Sequence, residues 1–414
     1  MTLTHPPTIP VPTGTRRLLA AAGPGLVDHE RTHGPLPAVG PAVIDEIARA
    51  GVEGRGGAGF PLARKLAAIA RQGGTARTRG RSGPLVVANG AEGEPASRKD
   101  AVLLRRSPHL VLDGAVVAAL ATGATEAVVA TSAGLAPVVR QALAERRDPV
   151  RVTVRALPHA GFTAGEASAL ASAVAGGPGV PQDRVVRLSE RGPGRRPTLV
   201  SNVETLAQAA LVARYGAEWT RGVGSAAAPG TRLVTVSDVR DPDTAVVLET
   251  AGGAVLGDLL VASRLDRADP RRAQAVLVGG WGGTWVPATA LDATLDAPGL
   301  APWGASPGAG VLAVLGADTC PVVTTARIAT ALAGASAGRC GPCVNGLPGI
   351  AEQLTALAGG RPTRDVEHLV SLVDGRGACH HPDGVARMVR SAMHVFREDV
   401  LAHRSGRCLV GGVR

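Results

Sequence analysis

An α/β protein is predicted: a parallel-sheet domain, then a small β-rich domain and a C-terminal four-helix bundle. Three observations predict it. Between residues 84 and 157, apolar strand-like runs alternate with helical ones, the pattern of a parallel sheet. Residues 230–315 switch to short apolar runs separated by glycine turns. From about residue 322 the apolar spacing is helical again. With 414 residues, the chain is too long for one ordinary domain.

The elements follow in order. Residues 1–35, rich in Pro, Thr and Gly, read as an irregular tail. Residues 41–51, PAVIDEIARAG, have helical spacing and end on a glycine suited to a helix C-terminus. The glycine-rich run 54-GRGGAGFPLARKL-66 leads into an amphipathic helix at 62–72. The segment 84-PLVVANGAEGEP-95 is an apolar strand running into a loop. A helix at 109–122, a strand at 126–132, a helix at 134–147 and a strand at 150–157 continue the alternation. Residues 158–200 are irregular, and a long helix begins at 200-VSNVET-205. The boundaries drawn are a tail at 1–35, an α/β domain at 36–228, a β-rich domain at 229–316, a helical domain at 317–402 and a tail at 403–414.

Composition excludes several classes. The net charge is +10, but basic residues are scattered and aromatics are 2% of the chain. Nothing offers the clustered basic patch with stacking rings that nucleic-acid binding uses, so no nucleic-acid partner is expected. A basic face does suit anionic cofactors or an acidic electron carrier. No apolar run reaches the roughly 18 to 20 residues of a membrane span, and the start lacks a secretion signal. The expected setting is cytoplasmic, peripheral to a membrane complex, with no direct membrane insertion.

Scarce residues mark chemistry. Lys65 and Lys99 are the two lysines among 44 basic residues, and Asn89, Asn202 and Asn345 are the three asparagines. Clustered glycines before a helix let backbone N–H groups approach an anion, and Arg55 and Lys65 add charge on either side. The run is neither a P-loop nor a G-x-G-x-x-G fingerprint. In 89-NGAEGEPASRKD-100, Glu92 and Glu94 could act as acid and base or accept hydroxyl hydrogen bonds. In SNVET, Ser201 and Glu204 have the spacing of a capping box. The five cysteines (Cys320, Cys340, Cys343, Cys379 and Cys408) do not read as a disulfide framework. Cys340 and Cys343 form a C-x-x-C, and Cys379 precedes His380 and His381. Three thiolates and an imidazole suit an iron–sulfur cluster or zinc. A helix of roughly 15 residues places Cys320 some 20 Å from Cys340. The fourth ligand stays open among Cys408, His380 and His381, with histidine ahead.

These segments, in this order, resemble the NADH-binding flavoprotein subunit of respiratory complex I and its relatives in NAD-linked hydrogenases and formate dehydrogenases. The matching stretches are Gly54 to Lys65, Asn89 to Asp100, Gly165 to Leu170, Asn202 to Thr205 and 336-SAGRCGPCVNG-346. The resemblance implies an FMN domain, an SLBB-type β-grasp domain and a helical bundle with one 4Fe-4S cluster. It implies Gly54, Arg55, Gly56, Gly57 and Lys65 at the flavin phosphate and ring, with Asn89, Glu92, Phe162, Gly165, Glu166, Asn202 and Thr205 completing the cofactor site. It places Phe60 and Glu94 near NAD(H), with Glu94 as the catalytic carboxylate, and Cys340, Cys343 and Cys379 on the cluster; His380, from the residue reading above, is taken as the fourth ligand. The implied activity is oxidation of NAD(P)H through FMN, with single electrons passed to ferredoxin-like or complex I-like partner subunits. The chain departs from the family pattern at Ala91, Ala167, Leu66 and Phe162, and at Ala337, which stands where the first cluster cysteine is expected. The alternative is an electron relay that keeps flavin or cluster without oxidising NADH.

Overall fold

Apolar segments of five or six residues build the first sheet. The computed structural model of the chain describes residues 15–78, 82–158, 161–182, 186–265, 269 and 271–410. Three helices come first: α1 (Leu26–His33), α2 (Val43–Ala50) and α3 (Leu62–Thr78). Strand β1 (Leu85–Gly90) leads to α4 (Lys99–Arg106) and α5 (Pro108–Thr122). Strand β2 (Glu126–Thr131) leads to α6 (Ala136–Ala144), β3 (Arg151–Ala156) to α7 (Ala167–Val174), and β4 (Thr198–Asn202) to α8 (Val203–Arg221). The strands are parallel in the order β3-β2-β1-β4. Val86 and Ala88 point into the core shared with α5 and α8. Leu85 and Val87 point to the opposite face, covered by Leu170 and Ala173 of α7. Burial on both faces explains why the strands read as apolar runs rather than alternating ones.

The chain winds outward from β1 through β2 to β3, then returns to add β4 on the other side of β1. That reversal is a topological switch point, where open α/β sheets bind ligands. Asn89 and Asn202 sit side by side in register there, at the carboxyl ends of β1 and β4.

The second sheet comprises β5 (Thr231–Asp238), β6 (Asp241–Ala251), β7 (Ala273–Val278), β8 (Thr284–Pro287) and β9 (Val311–Gly316). Helix α9 (Leu256–Ser263) follows β6, and the short α10 (Ala297–Leu300) precedes β9. The order is β6-β5-β9-β7-β8, with β5 and β9 parallel and the other pairs antiparallel. Alternation places Val276 and Val278 against α9. Ala275 and Leu277 face the C-terminal helices. Those helices are α11 (Pro321–Gly334), α12 (Leu347–Ala358), α13 (Val366–Val373), α14 (His381–Val395) and α15 (Arg397–Arg404). Trp285 of β8 meets Phe396 edge-on, with ring centroids 5.2 Å apart. No helix among the described residues is long and apolar enough to cross a membrane.

Three local expectations change. Leu26–His33 is helical although residues 1–35 read as irregular; residues 1–14 lie outside the described part. Thr198–Asn202 is a strand, because pairing with β1 overrides the reading of irregular chain up to residue 200 and helix from there. The last long helix divides at Phe396, whose φ of −104° and ψ of 33° break the helix and turn its ring toward Trp285.

A buried ion cluster locks the first domain. Asp113 of α5 receives His29 of α1 at 2.8 Å, Arg214 of α8 at 2.6 Å and Arg146, just past α6, at 2.6 Å. Burial pushes the Asp113 carboxyl up, but His29, Arg214 and Arg146 outweigh it and hold the group below the usual carboxylate range. A depressed folded pKa gives stability that is present above about pH 4 and lost as pH falls further. Asp113→Ala leaves the buried Arg214 guanidinium without its carboxylate, while Arg146 keeps Asp148. It should lower the urea-unfolding free energy at neutral pH by roughly 3–5 kcal/mol; a loss below about 1 kcal/mol would contradict this role.

Candidate functional site

The glycine run is a loop pinned at both ends. Glu53 bridges Pro61, Gly54 N–H donates to Phe60 O at 3.0 Å and Leu62 N–H to Val52 O at 2.9 Å. In the middle, Arg55 N–H donates to Thr205 Oγ1 at 2.8 Å, tying the loop to α8. Gly57 has φ +113°, a conformation costly for residues with a side chain, and a Cβ there would meet nothing within 4 Å. Arg55, Gly56, Gly57 and Ala58 therefore wall an open space at the start of α3.

That space is a cleft of about 510 Å³, a size suited to a cofactor. Five further segments close it: the β1–α4 loop, the turn before α7, the glycine loop between β7 and β8, the loop before β9 and the start of α14.

Asn89 and Asn202 hold the sheet end of the cleft. Asn89 Nδ2 donates to Gly165 O at 2.8 Å, fixing the turn before α7. Asn202 Nδ2 donates to Asp100 Oδ2 at 2.7 Å, and its Oδ1 accepts from Glu204 N–H at 3.0 Å. Asn202 is thus the cap of α8, and the expected Ser201–Glu204 capping box is absent. Glu204 instead accepts from Lys99 Nζ at 2.9 Å and from Leu233 N–H of the second sheet at 2.9 Å. Lys99 Nζ also reaches Asp100 Oδ1 at 2.8 Å. Burial lowers the affinity of Lys99 for its proton, but Asp100 and Glu204 outweigh it and hold the ammonium charged well above the ordinary range. Arg55 Nε lies 4.0 Å from Glu204 Oε1 and is buried without a hydrogen-bond partner. A buried cation with an unused donor, next to an open glycine cradle at a helix start, fits an anionic phosphate group.

The acidic residues divide by task. Glu92 has φ +44°, and its carboxylate accepts from Ser97 Oγ and from the Asp100 and Ala101 N–H groups, all within 2.9 Å. Glu166 caps α7 through Ser168 and Ala169 N–H. Both carboxylates are occupied holding helix starts. Glu94 differs. Half-buried, it accepts from Ala96 N–H at 3.3 Å and from Trp281 N–H at 3.1 Å, joining the first domain to the second sheet. Desolvation raises its pKa to about 7 against those two donors. Gly280 has φ +100°, a conformation that favours glycine, and a Cβ there would press on the Glu94 carboxylate.

The far wall belongs to the helical domain. Cys379, His380, His381, Asp383 and Arg387 line it, and Arg387 clamps Gly282 O at 2.7 Å. Phe162 packs on His381 with centroids 5.0 Å apart. Cys343 lies in a π-helical turn (Pro342–Gly346) entering α12, with Cys340 just ahead of it. Burial raises the Cys343 thiol, and the nearby Cys340 and Cys379 raise it further. His380 is exposed, with Nδ1 held by Asp383 Oδ2 at 2.9 Å. His381 is buried, and its Nε2 meets Leu332 O at 2.8 Å. A carbonyl only accepts, so Nε2 carries the proton and Nδ1 is left as a buried lone pair without a partner.

Twelve of the residues expected at the site line the cleft. Six do not. Gly54 and Thr205 shape the loop from behind. Cys340 and Cys343 sit beyond Cys379. Phe60 is 45% exposed, with Lys65 Nζ 5.9 Å from its ring, and neither lines the cleft. Cys408 lies against Cys320 and His403, apart from the other thiols. Lys99 was singled out but given no place in the site, and residues missed were Asp100, Ser97, the loop at Gly279–Gly283 and Arg387. The rarity of lysine pointed to Lys99, and paired glycines around Trp281 pointed to the loop.

Two family descriptions match the chain: the Nuo51 FMN-binding domain over residues 47–211 and the NADH-ubiquinone oxidoreductase-F iron-sulfur binding region over residues 324–403. The F-subunit of the NADH-quinone oxidoreductase of Mycobacterium bovis is 30% identical over 384 residues, covering 88% of this chain and 85% of that protein. The chain belongs to the NADH-quinone oxidoreductase F-subunit family. Another member, the second of two such F-subunits in Rhizobium meliloti, is 29% identical over 381 residues and 88% of its length. Among solved structures, a chain of an NAD+-reducing NiFe hydrogenase superposes with a TM-score of 0.76 at 29% identity. That match takes in 88% of this family member and 62% of the hydrogenase chain.

Glu94 yields a pH prediction. A carboxyl with its folded pKa raised gives stability that is present at low pH and lost as pH rises through about 7. Between about pH 5 and pH 8, wild type should lose on the order of 1–2 kcal/mol relative to Glu94→Gln, allowing for solvent in the cleft. Parallel denaturation curves across this range would contradict the assignment.

Proposed function

We propose that this chain is an NADH-oxidising subunit that holds FMN in the cleft and a 4Fe-4S cluster beside it. One observation carries the reading: a single cleft has a phosphate cradle, Arg55 to Ala58, on one wall and the thiol-bearing residue Cys379 on another. Bound FMN accepts a hydride and releases its electrons singly, and an iron–sulfur cluster takes electrons one at a time. Everything else falls to the chain. Arg55 and the glycine cradle bind phosphate. Asn89 and Asn202 orient the cofactor at the switch point, with Lys99 and Asp100 fixing Asn202. Glu94, near its midpoint at neutral pH, holds or releases a proton at the cleft wall. Phe162, Gly282 and Gly283 exclude water from the space between flavin and cluster.

Cys340, Cys343 and Cys379 would hold three corners of the cluster. Ala337 offers no fourth ligand. His381 suits that position better than His380, because its Nδ1 lone pair is free while Nε2–H is held by a carbonyl, as in ligating imidazoles. The strand order with two parallel central strands and α9 on one face favours a β-grasp of SLBB type. The C-terminal helices are read as the cluster-binding bundle, with domain limits close to 36–228, 229–316 and 317–402. The relatives are named as subunits, and the basic surface suits an acidic electron-transfer partner, with the whole peripheral to a membrane complex on its cytoplasmic side.

Anaerobic mixing of the FMN- and cluster-loaded protein with NADH should bleach the flavin absorbance. A flavin that dithionite bleaches but NADH does not would overturn NADH oxidation. In the same preparations, His381→Ala should lower bound iron and His380→Ala should not; the reverse would return the ligand role to His380.

A further inference from the structure

The helical domain holds a second cluster of metal-ligating groups, remote in role from the cleft. Cys320 caps the start of α11, His403 lies in the last turn of α15, and Cys408 follows in the tail. The two Sγ atoms and one imidazole nitrogen all lie within 4.8 Å of one another. Cys320 Sγ is 3.2 Å from His403 Nε2. No other grouping of this kind occurs among the described residues.

The imidazole is presented as a ligand. His403 Nδ1 lies 3.2 Å from Ala358 O, and since a carbonyl only accepts, Nδ1 carries the proton. The Nε2 lone pair is thereby aimed at Cys320, and the ring is fixed by a carbonyl as metal-bound histidines are. His403 is 3% exposed while both cysteines are half-buried, so one side remains open to solvent. Tetrahedral zinc, with Zn–S of about 2.3 Å and Zn–N of about 2.0 Å, requires ligand edges of roughly 3.5–3.8 Å. The Cys320–His403 separation of 3.2 Å is a few tenths of an ångström short of the sulfur–nitrogen edge, and the whole trio lies within 4.8 Å, so closure on an ion needs shifts of an ångström at most. The donor set is soft enough to favour zinc over magnesium or calcium.

We infer that Cys320, His403 and Cys408 bind one zinc ion, with water in the fourth position, clamping the tail onto the start of α11. Two thiolates and a neutral imidazole cancel the charge of Zn²⁺, which suits a half-buried position. Burial raises the Cys320 thiol and the neighbouring Cys408 raises it further, against the Val323 and Val322 N–H groups at the start of α11. Two protons leave, one from each thiol, as the ion enters. This site shares no residue with the cluster ligands, so it stands or falls independently of the proposed function.

The test is elemental analysis of cluster-loaded full-length protein produced with zinc supplied. Wild type should carry one zinc per chain, and the C320S–C408S variant should lose it with iron unchanged. X-ray absorption at the zinc edge of wild type should show two sulfur ligands. A C340S–C343S–C379S variant, if it folds, should lose iron and keep zinc. Zinc absent from wild type, zinc retained in C320S–C408S, or a Cys320–Cys408 disulfide in the isolated protein would overturn the site.

Discussion

The contact of Lys99 Nζ with Glu204 and Asp100 is the one around which the cleft is assembled. It joins α4 to α8 beneath the carboxyl ends of β1 and β4. Asp100 positions Asn202, Glu204 reaches Leu233 of the second sheet, and Thr205 beside it anchors the glycine loop through Arg55. An isolated ammonium buried this deeply would cost several kcal/mol. Two carboxylates at under 3 Å offset that cost, and they do so only when α4 and α8 arrive together. The charge network therefore acts as a registry device for the cleft as much as a source of stability.

The second constraint is close approach between domains. Glu94 receives the Trp281 N–H across the boundary, and Gly280 leaves room for it. Arg387 ties α14 to Gly282 from the other side. The glycine loop of the second sheet is thereby held between the α/β domain and the helical domain. A cleft walled by all three keeps cradle and thiol within one cavity, which short-range electron transfer needs.

Much of this was legible in the sequence. Alternating apolar runs gave the parallel sheet, and the glycine run before a helix gave the cradle. Scarcity singled out Asn89 and Asn202, which lie side by side at the switch point. Other parts depended on tertiary pairing that no local pattern encodes. Thr198–Asn202 is a strand because β1 lies beside it. Glu204 has the spacing of a capping residue, yet its carboxylate is drawn away by Lys99, some hundred positions earlier in the chain. Glu92 and Glu166 line the cleft and also hold helix starts, since free N–H groups at a helix start compete for any nearby carboxylate. Cys408 could not be placed from its position in a tail; packing of α15 brings it to Cys320.

If the buried Lys99 network shapes the cradle for FMN, losing its charge must weaken the cofactor's hold. Fluorescence titration of FMN into wild type and Lys99→Met, with folding checked by circular dichroism, measures this directly. Wild type should bind tightly, and a folded Lys99→Met should bind at least about tenfold more weakly, roughly 1.4 kcal/mol. Equal FMN affinity in the two folded proteins would contradict that role for Lys99.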